Sequence, residues 1–525
     1  MAPGTARVPL VSVALLLTLL VAVSGAPGAV PAGSSKPVVI VQGTDVPTLD
    51  PQFSESGHFG NIQHHIFDFL ISYNKNMEIV PDAAESFRLL PDRVTWQFKI
   101  CRGIKFWNGE PLDARAVKFT FDRIANPELR RQGLNDPYIS RVDLARVDIV
   151  DDYTVNFVLK RPNILFLVYT TFNPILAPGY YARASVAEAA IRPMGSGPWM
   201  FKEWKKDDHL TLVANPNYWR GRPQVDTIIF GAVPETSTRL ALLQTGAVDI
   251  VADLAPEDIR RVETDPNLRV CKAKGARRIH IGLPTQVPMF KDRRVRQAFN
   301  YAVDFDAINK SILNDLASER MGVPVNGDIW IDNTVKPYTY DPQRAQSLLR
   351  EAGWNSNTPI TIWSPVGRYM KDKELAQAVA GFLQRVGVRA EVQTLEWSVF
   401  SDRGRKSEFT MPFLIGYGSR FYGPDDLAVL FEPGFQGFEW ADNTGRGPEA
   451  KRLYEELVGT FDVPKQRELV HRISRMFVEE APWIFLWKQA SVFGVHKRIN
   501  WHCFSDYRIY LWLPGDADTR IIVGQ

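Results

Sequence analysis

An α/β fold spread over more than one domain is what this sequence predicts, and three observations predict it. The 525 residues are 45% hydrophobic and 23% charged, an ordinary globular composition in a chain longer than the roughly 250–300 residues at which a single core stops growing. Short alternating apolar runs recur along it, bounded by turn residues. Helices with their own end signals stand between these runs, so the two element types are mixed throughout, without a sustained heptad, low-complexity tract or internal repeat.

The first element is an export signal. Arg7 supplies the positive end, and Val8 to Val23 is an apolar run broken only by Pro9, Ser12 and Thr18. It gives way to a small, Pro- and Gly-rich stretch from Ser24 to Ser35. A membrane span needs about 20 apolar residues, so the run reads as a secretory h-region. Residues 1–28 are expected to be a cleaved signal peptide, its end lying between 25 and 32, with Gly25, Gly28 and Ala32 as the candidate sites. The first cysteine is Cys101, so the thiol that would carry a lipid anchor is missing, and the product is expected to be soluble and periplasmic.

Beyond the signal, Val38 to Val41 reads as a buried strand running into Gly43-Thr44-Asp45. Val94, Trp96, Phe98 and Ile100 alternate with polar residues, and Ile104 and Phe106 lead into Asn108-Gly109, a dipeptide suited to tight turns. This predicts a β-hairpin region, and Tyr153 to Lys160 predicts a further strand. Asp292 opens a helix with Val295, Phe299 and Ala302 on one side. Asp341-Pro342 places a capping oxygen before a residue preorganised for the first turn, and Leu348, Leu349 and Ala352 form the apolar face, with Gly353 at the left-handed end position. A helix from Lys373 to Arg385 stops before Gly387. Val388, Ala390 and Val392 then alternate as a strand.

Composition excludes some functions. With 62 basic and 59 acidic residues the formal charge is +3, so there is no electrostatic footprint for nucleic acid. Arg293, Arg294 and Arg296, or Lys497 and Arg498, read as solvated faces. No Gly-x-Ser-x-Gly elbow, His-Glu-x-x-His or phosphate loop is present, so an enzyme is not expected. Cys101, Cys271 and Cys503 permit one disulfide with a free thiol, or three buried thiols. His58, His64, His65 and Asp68 have metal-binding side chains, but their irregular spacing before Ile66, Phe67, Phe69 and Leu70 reads as a helix start at a domain edge, and neither metal nor cofactor is expected.

Motifs in order along the chain resemble a known family. Near the start stands Thr48-Leu49-Asp50-Pro51. There follow Pro81 to Ser86, Trp96-Gln97-Phe98-Lys99, Gly103 to Leu112 and Asp113 to Val117. The middle carries Met194-Gly195-Ser196-Gly197-Pro198-Trp199, Asn215 to Trp219 and Leu240 to Ile250, and then come Asp292 to Ala298 and Asp341 to Gly353. Together they are similar to the bacterial extracellular solute-binding proteins of the peptide and nickel class, family 5, the substrate-binding components of ABC transporters. The resemblance implies a two-lobed periplasmic-binding-protein-like α/β fold with two hinge crossovers. Lobe 1 would comprise 36–57, 172–275 and 490–525, with an inserted subdomain at 58–171, and lobe 2 would run from 276 to 489.

It also implies a ligand cleft between lobes that close on a bound solute. On the first lobe it points to Ser56 and Gly57, and to the turn at Ser196 and Gly197, where small residues admit ligand backbone. On the second it points to Gly367, Arg368 and Tyr369, and to the aromatics Trp397 and Tyr417. The guanidinium fork of Arg368 suits a carboxylate, and the tyrosine offers stacking area. Arg420 stands where dipeptide-binding relatives carry an aspartate for the ligand's amine. The reversed charge implies a ligand with an anionic or neutral group there, not an ordinary dipeptide held by its amine. The expected partners are a peptide or similar small solute and an inner-membrane ABC permease, with the protein a monomer. A non-peptide ligand such as an oligosaccharide, opine or metal chelate, and a chaperone-like or chemosensory binding role, are the alternatives for the same cleft.

Overall fold

In a computed structural model, the described residues are 36–53, 57–134, 136, 138–418, 421–431, 440–513 and 522–523. An 11-stranded sheet organises them. Its order is Arg389–Leu395, Pro359–Pro365, Phe413–Tyr417, Leu268–Gly282, Trp483–His496, Ile250–Val251, Val38–Gln42, Thr227–Ala232, His209–Ala214 and Trp199–Lys205, and Ala317–Arg320 pairs with Trp483–His496. Two strands of 15 and 14 residues, Leu268–Gly282 and Trp483–His496, form its antiparallel spine.

The spine carries different neighbours at its two ends. Ile250 and Val251 pair with Val495 and Gly494, whereas Phe413–Tyr417 pairs with Arg278–Gly282. Between these ends the register breaks: Ala273 faces Ser491, but Arg277 faces Gln489. Lys274, Gly275 and Ala276 thus bulge against Ala490, which bends a strand and raises its local twist. Gly275 is required there, because a Cβ on it would lie 1.7 Å from the Gln489 carbonyl oxygen.

Alternation along the strands sorts the core into two clusters. Val38 and Ile40 join Phe230, Phe493 and Val495 in one, and Val41 joins Val251, Ile279, Ile281 and Leu486 in the other, as expected of a sheet covered on both faces. A separate four-stranded antiparallel sheet takes Ala84–Leu89, Thr95–Ile100, Thr154–Leu159 and Leu144–Asp151 in that order. The helix Ala114–Ala125 packs on it, with Asp113 accepting from the Arg115 and Ala116 N–H groups.

The predicted elements meet their observed counterparts closely. Arg293–Ala302 is capped by Asp292 and Pro342–Glu351 by Asp341, with Gly353 at φ +69°. Asn108-Gly109 turns with Gly109 at φ +89°, although only the bridge between Lys105 and Pro111 forms around it, so no full hairpin develops. The histidine stretch departs from expectation: the helix Gly57–Ile66 begins before it, and His64 and His65 occupy its last turn. Of the three cysteines, Cys271 and Cys503 form a disulfide and Cys101 is a half-buried free thiol. Among the described residues, no helix is long and apolar enough to cross a membrane.

Candidate functional site

The loop before the helix Asp372–Arg385 is built around one carboxylate. Asp372, 3% exposed, accepts from the N–H groups of Gly367 at 3.2 Å, Arg368 at 2.9 Å, Tyr369 at 3.1 Å and Lys373 at 2.9 Å. Burial raises its pKa and these four donors oppose the rise. Gly367 at φ +73° and Lys371 at φ +55° supply the turns. The loop is thereby held rigidly enough to aim Arg368 and Tyr369.

Those two side chains meet Trp397. The Arg368 guanidinium carbon lies 4.8 Å from the Trp397 ring centroid and 5.2 Å from that of Tyr369, and the two rings meet edge-on at 6.2 Å. The Tyr369 hydroxyl donates to the Gly416 carbonyl at 3.3 Å. Arg277 joins from the first residue beyond the register break, its guanidinium 5.6 Å from the Tyr369 ring and 3.9 Å from the Tyr507 ring. Both are ordinary cation–π separations. Tyr507 reaches the cluster because Gly418 has no side chain: a Cβ there would lie 1.9 Å from the tyrosine hydroxyl.

Tyr417 follows Gly416 but pairs in register with Arg278, so its side chain leaves the opposite face of the sheet from Arg277; it stacks on His280 at 5.7 Å, and His280 lies 3.5 Å from Trp483 in parallel. Burial and then the Arg278 charge hold His280 far below the usual histidine pKa. Arg278 is spent on structure: its guanidinium donates to the Asp426 carbonyl at 2.9 Å and pairs with the Asp426 carboxylate at 3.3 Å. Lys371, beside the Arg368 loop, pairs with Glu257 at 2.7 Å.

The expected site residues therefore separate. Arg368, Tyr369 and Trp397 come together, with Gly367 in the same loop, while Tyr417 turns to the other face of the sheet. Ser196 and Gly197 lie elsewhere: Ser196 is 1% exposed and its hydroxyl accepts from the Asp68 N–H, and a Cβ on Gly197 would strike the backbone of His65 and Ile66. Close packing accounts for those two residue types. Gly57 opens the helix Gly57–Ile66, while Ser56 and Arg420 fall outside the described residues. Arg277 and Tyr507 were not anticipated. The available signal was slight: Arg277 and Arg278 stand in a strand that also carries Arg269, Lys272, Lys274 and His280, so only their burial, which the sequence does not show, sets them apart.

His64 and His65 serve packing. His65 Nε2 accepts from the Leu511 N–H at 3.2 Å and His64 bonds Arg508 at 2.9 Å, tying the helix Gly57–Ile66 to the C-terminal segment. Among the described residues no group of three or more metal-ligating side chains assembles.

Comparison with known proteins gives a consistent picture. The family model described as bacterial extracellular solute-binding proteins, family 5, matches residues 78–437. Di/tripeptide-binding protein 2 of Pseudomonas aeruginosa is 26% identical over 463 residues, covering 83% of this chain and 86% of the relative. The glutathione-binding protein GsiB of Pectobacterium atrosepticum is 28% identical, covering 91% and 93%. Among solved structures, the periplasmic binding protein DppA of Helicobacter pylori in complex with the peptide STSA superposes with a TM-score of 0.82 at 22% identity, covering 93% and 98%.

Proposed function

Because this chain belongs to the bacterial extracellular solute-binding proteins of family 5, the substrate-capturing components of ABC importers, we propose that it takes up a peptide or similar small solute in a cleft between two lobes and delivers it to an inner-membrane permease. One observation carries the reading. Arg277 lies between rings from two distant parts of the chain, Tyr369 and Tyr507, at the first paired position beyond the bulge that interrupts both long strands. Groups that converge across a bend in the chain are satisfied together only when the bend closes, which is how ligand contacts favour a closed state.

On this reading the bulge at Lys274–Ala276 and the facing residues Gln489 and Ala490 are the hinge, separating a lobe of 36–57, 172–275 and 490–525 from one of 276–489, with 58–171 inserted in the first. Arg368, Tyr369 and Trp397 line the second lobe's wall, Tyr507 faces them from the first, and the Lys371–Glu257 pair latches the rim. The protein is exported, loses its first 28 or so residues, and works as a periplasmic monomer without chemical turnover of its ligand.

Native mass spectrometry of the mature protein purified without denaturation, followed by release and identification of what has co-purified, tests this. A ladder of short peptides supports the peptide class. A single non-peptide mass moves the ligand to a sugar, opine or chelate and leaves the importer role. Conversion of a bound ligand to a different product would sink the binding-only reading.

A further inference from the structure

Two guanidinium groups converge on one tyrosine ring without a carboxylate between them. Arg277 is 5% exposed, and buried nitrogens of both groups, Nη1 of Arg277 and Nε of Arg368, have no hydrogen-bond partner. Among the described residues neither side chain forms an ion pair. The carboxylate of Asp372 is occupied by four backbone donors. Asp253 acts on both arginines only from a distance and is itself exposed, and the side-chain hydrogen bond of Arg277 goes to the uncharged Tyr507 hydroxyl, which leaves Nη1 unmet. Burial first, and then the charge of Arg277, pulls the Arg368 pKa down, the response of a cation held beside another cation. Gln489, opposite Arg277 in the register, is also buried with its side-chain oxygen unpartnered.

Buried charged donors left unmet are costly, and native structures keep them where a partner arrives from outside. The partner must be an acceptor bearing negative charge, small enough to enter between ring faces. We propose that Arg277 and Arg368 form a two-guanidinium receptor for a carboxylate of the bound solute, so that the protein selects acidic solutes over their neutral isosteres. Arg277 is the specificity-determining member, added to the arginine of the loop before the helix. This rests on the solute-binding reading above.

The test is calorimetric titration of the mature protein with two matched pairs of probes: the dipeptide Ala-Ala and its C-terminal amide, and the non-peptides glutarate and glutaramide. The acidic member of a pair should bind roughly ten- to a hundredfold more tightly, as charge-assisted hydrogen bonds allow. Arg277→Gln should abolish that preference, read as the ratio of the two affinities within each pair, and Arg277→Lys, which keeps the charge but not the fork, should retain part of it. Should Arg277→Gln fail to fold, the wild-type preference and the half-buried Arg368→Gln variant decide. Equal affinity for acidic and neutral probes, an equal loss for both in Arg277→Gln, or binding of none of the four overturns the proposal. Glutarate binding that depends on Arg277, with neither dipeptide bound, would support it while defeating the peptide reading.

Discussion

Replacing Gly275 by alanine tests the geometry of the bend directly. The added Cβ would lie 1.7 Å from the Gln489 carbonyl oxygen, 2.2 Å from its carbonyl carbon and 2.8 Å from the Ala490 nitrogen. All three are backbone atoms, so no side chain can swing aside. A carbon and a carbonyl oxygen rest at about 3.3 Å or more, so the two long strands must part by roughly 1.5 Å at the crossing. Overpacking of this kind costs about 1–3 kcal/mol, and loosening one neighbouring ladder bond adds about 1 kcal/mol. The unfolded chain loses entropy on Gly→Ala, which returns about 0.4–1 kcal/mol. The net expectation is a destabilisation of about 1–3.5 kcal/mol, read as a lower midpoint in urea at unchanged slope. Gly381 is the internal control: it lies in the helix Asp372–Arg385 with no atom within 4 Å of its added Cβ, so Gly381→Ala should stabilise by about 0.5–1 kcal/mol. Two shifts of the same sign, or a Gly275→Ala midpoint at or above that of the wild type, would refute the reasoning.

Three further expectations rest on buried groups. The disulfide Cys271–Cys503 closes a sequence separation of 232 residues; the double variant Cys271→Ser, Cys503→Ser should lose about 2–5 kcal/mol, and thermal melts of the wild type in reductant should approach those of the variant. Asp50, from the opening motif, pairs with Arg123 at 2.6 Å, the two side chains 0% and 5% exposed. Asp50→Ala leaves a buried arginine without its anion and should cost about 3–5 kcal/mol in denaturant titration, far more than Lys118→Ala, which breaks the exposed pair with Asp122. Burial lowers the His65 pKa from 6.5 to about 4. Between these values the unfolded chain binds the extra proton, so the stability contribution, about 3 kcal/mol, is full above pH 6.5 and is lost as the pH falls toward 4. His65→Gln should flatten that part of a pH–stability profile.

How far the sequence could be read depended on the range of the interaction concerned. Asp292 and Asp341 announce their helices because a cap is a bond to an amide two or three residues away, and Gly109 and Gly353 announce turns because a positive φ is a local demand. The ordered motifs, spread from Thr48 to Gly353, identified the family and with it the fold. Arg368, Tyr369 and Trp397 were legible as a possible ligand wall through that resemblance, and the fold brings them into contact. Ser196 and Gly197 were legible only as small residues. Their type follows from the approach of the Ile66 backbone, about 130 residues away.

The sequence by itself determined the class of chain, the mixing of strands and helices and their boundaries, because hydrophobic period, capping and turn chemistry all act within a few residues. Only the tertiary structure decided that Cys271 pairs with Cys503, that His65 accepts from the Leu511 N–H, and that Arg277 meets Tyr507 across 230 positions of chain. Each of those pairings depends on which strand ends the long spine carries to the same place, and that is set by a sheet register that no local pattern encodes.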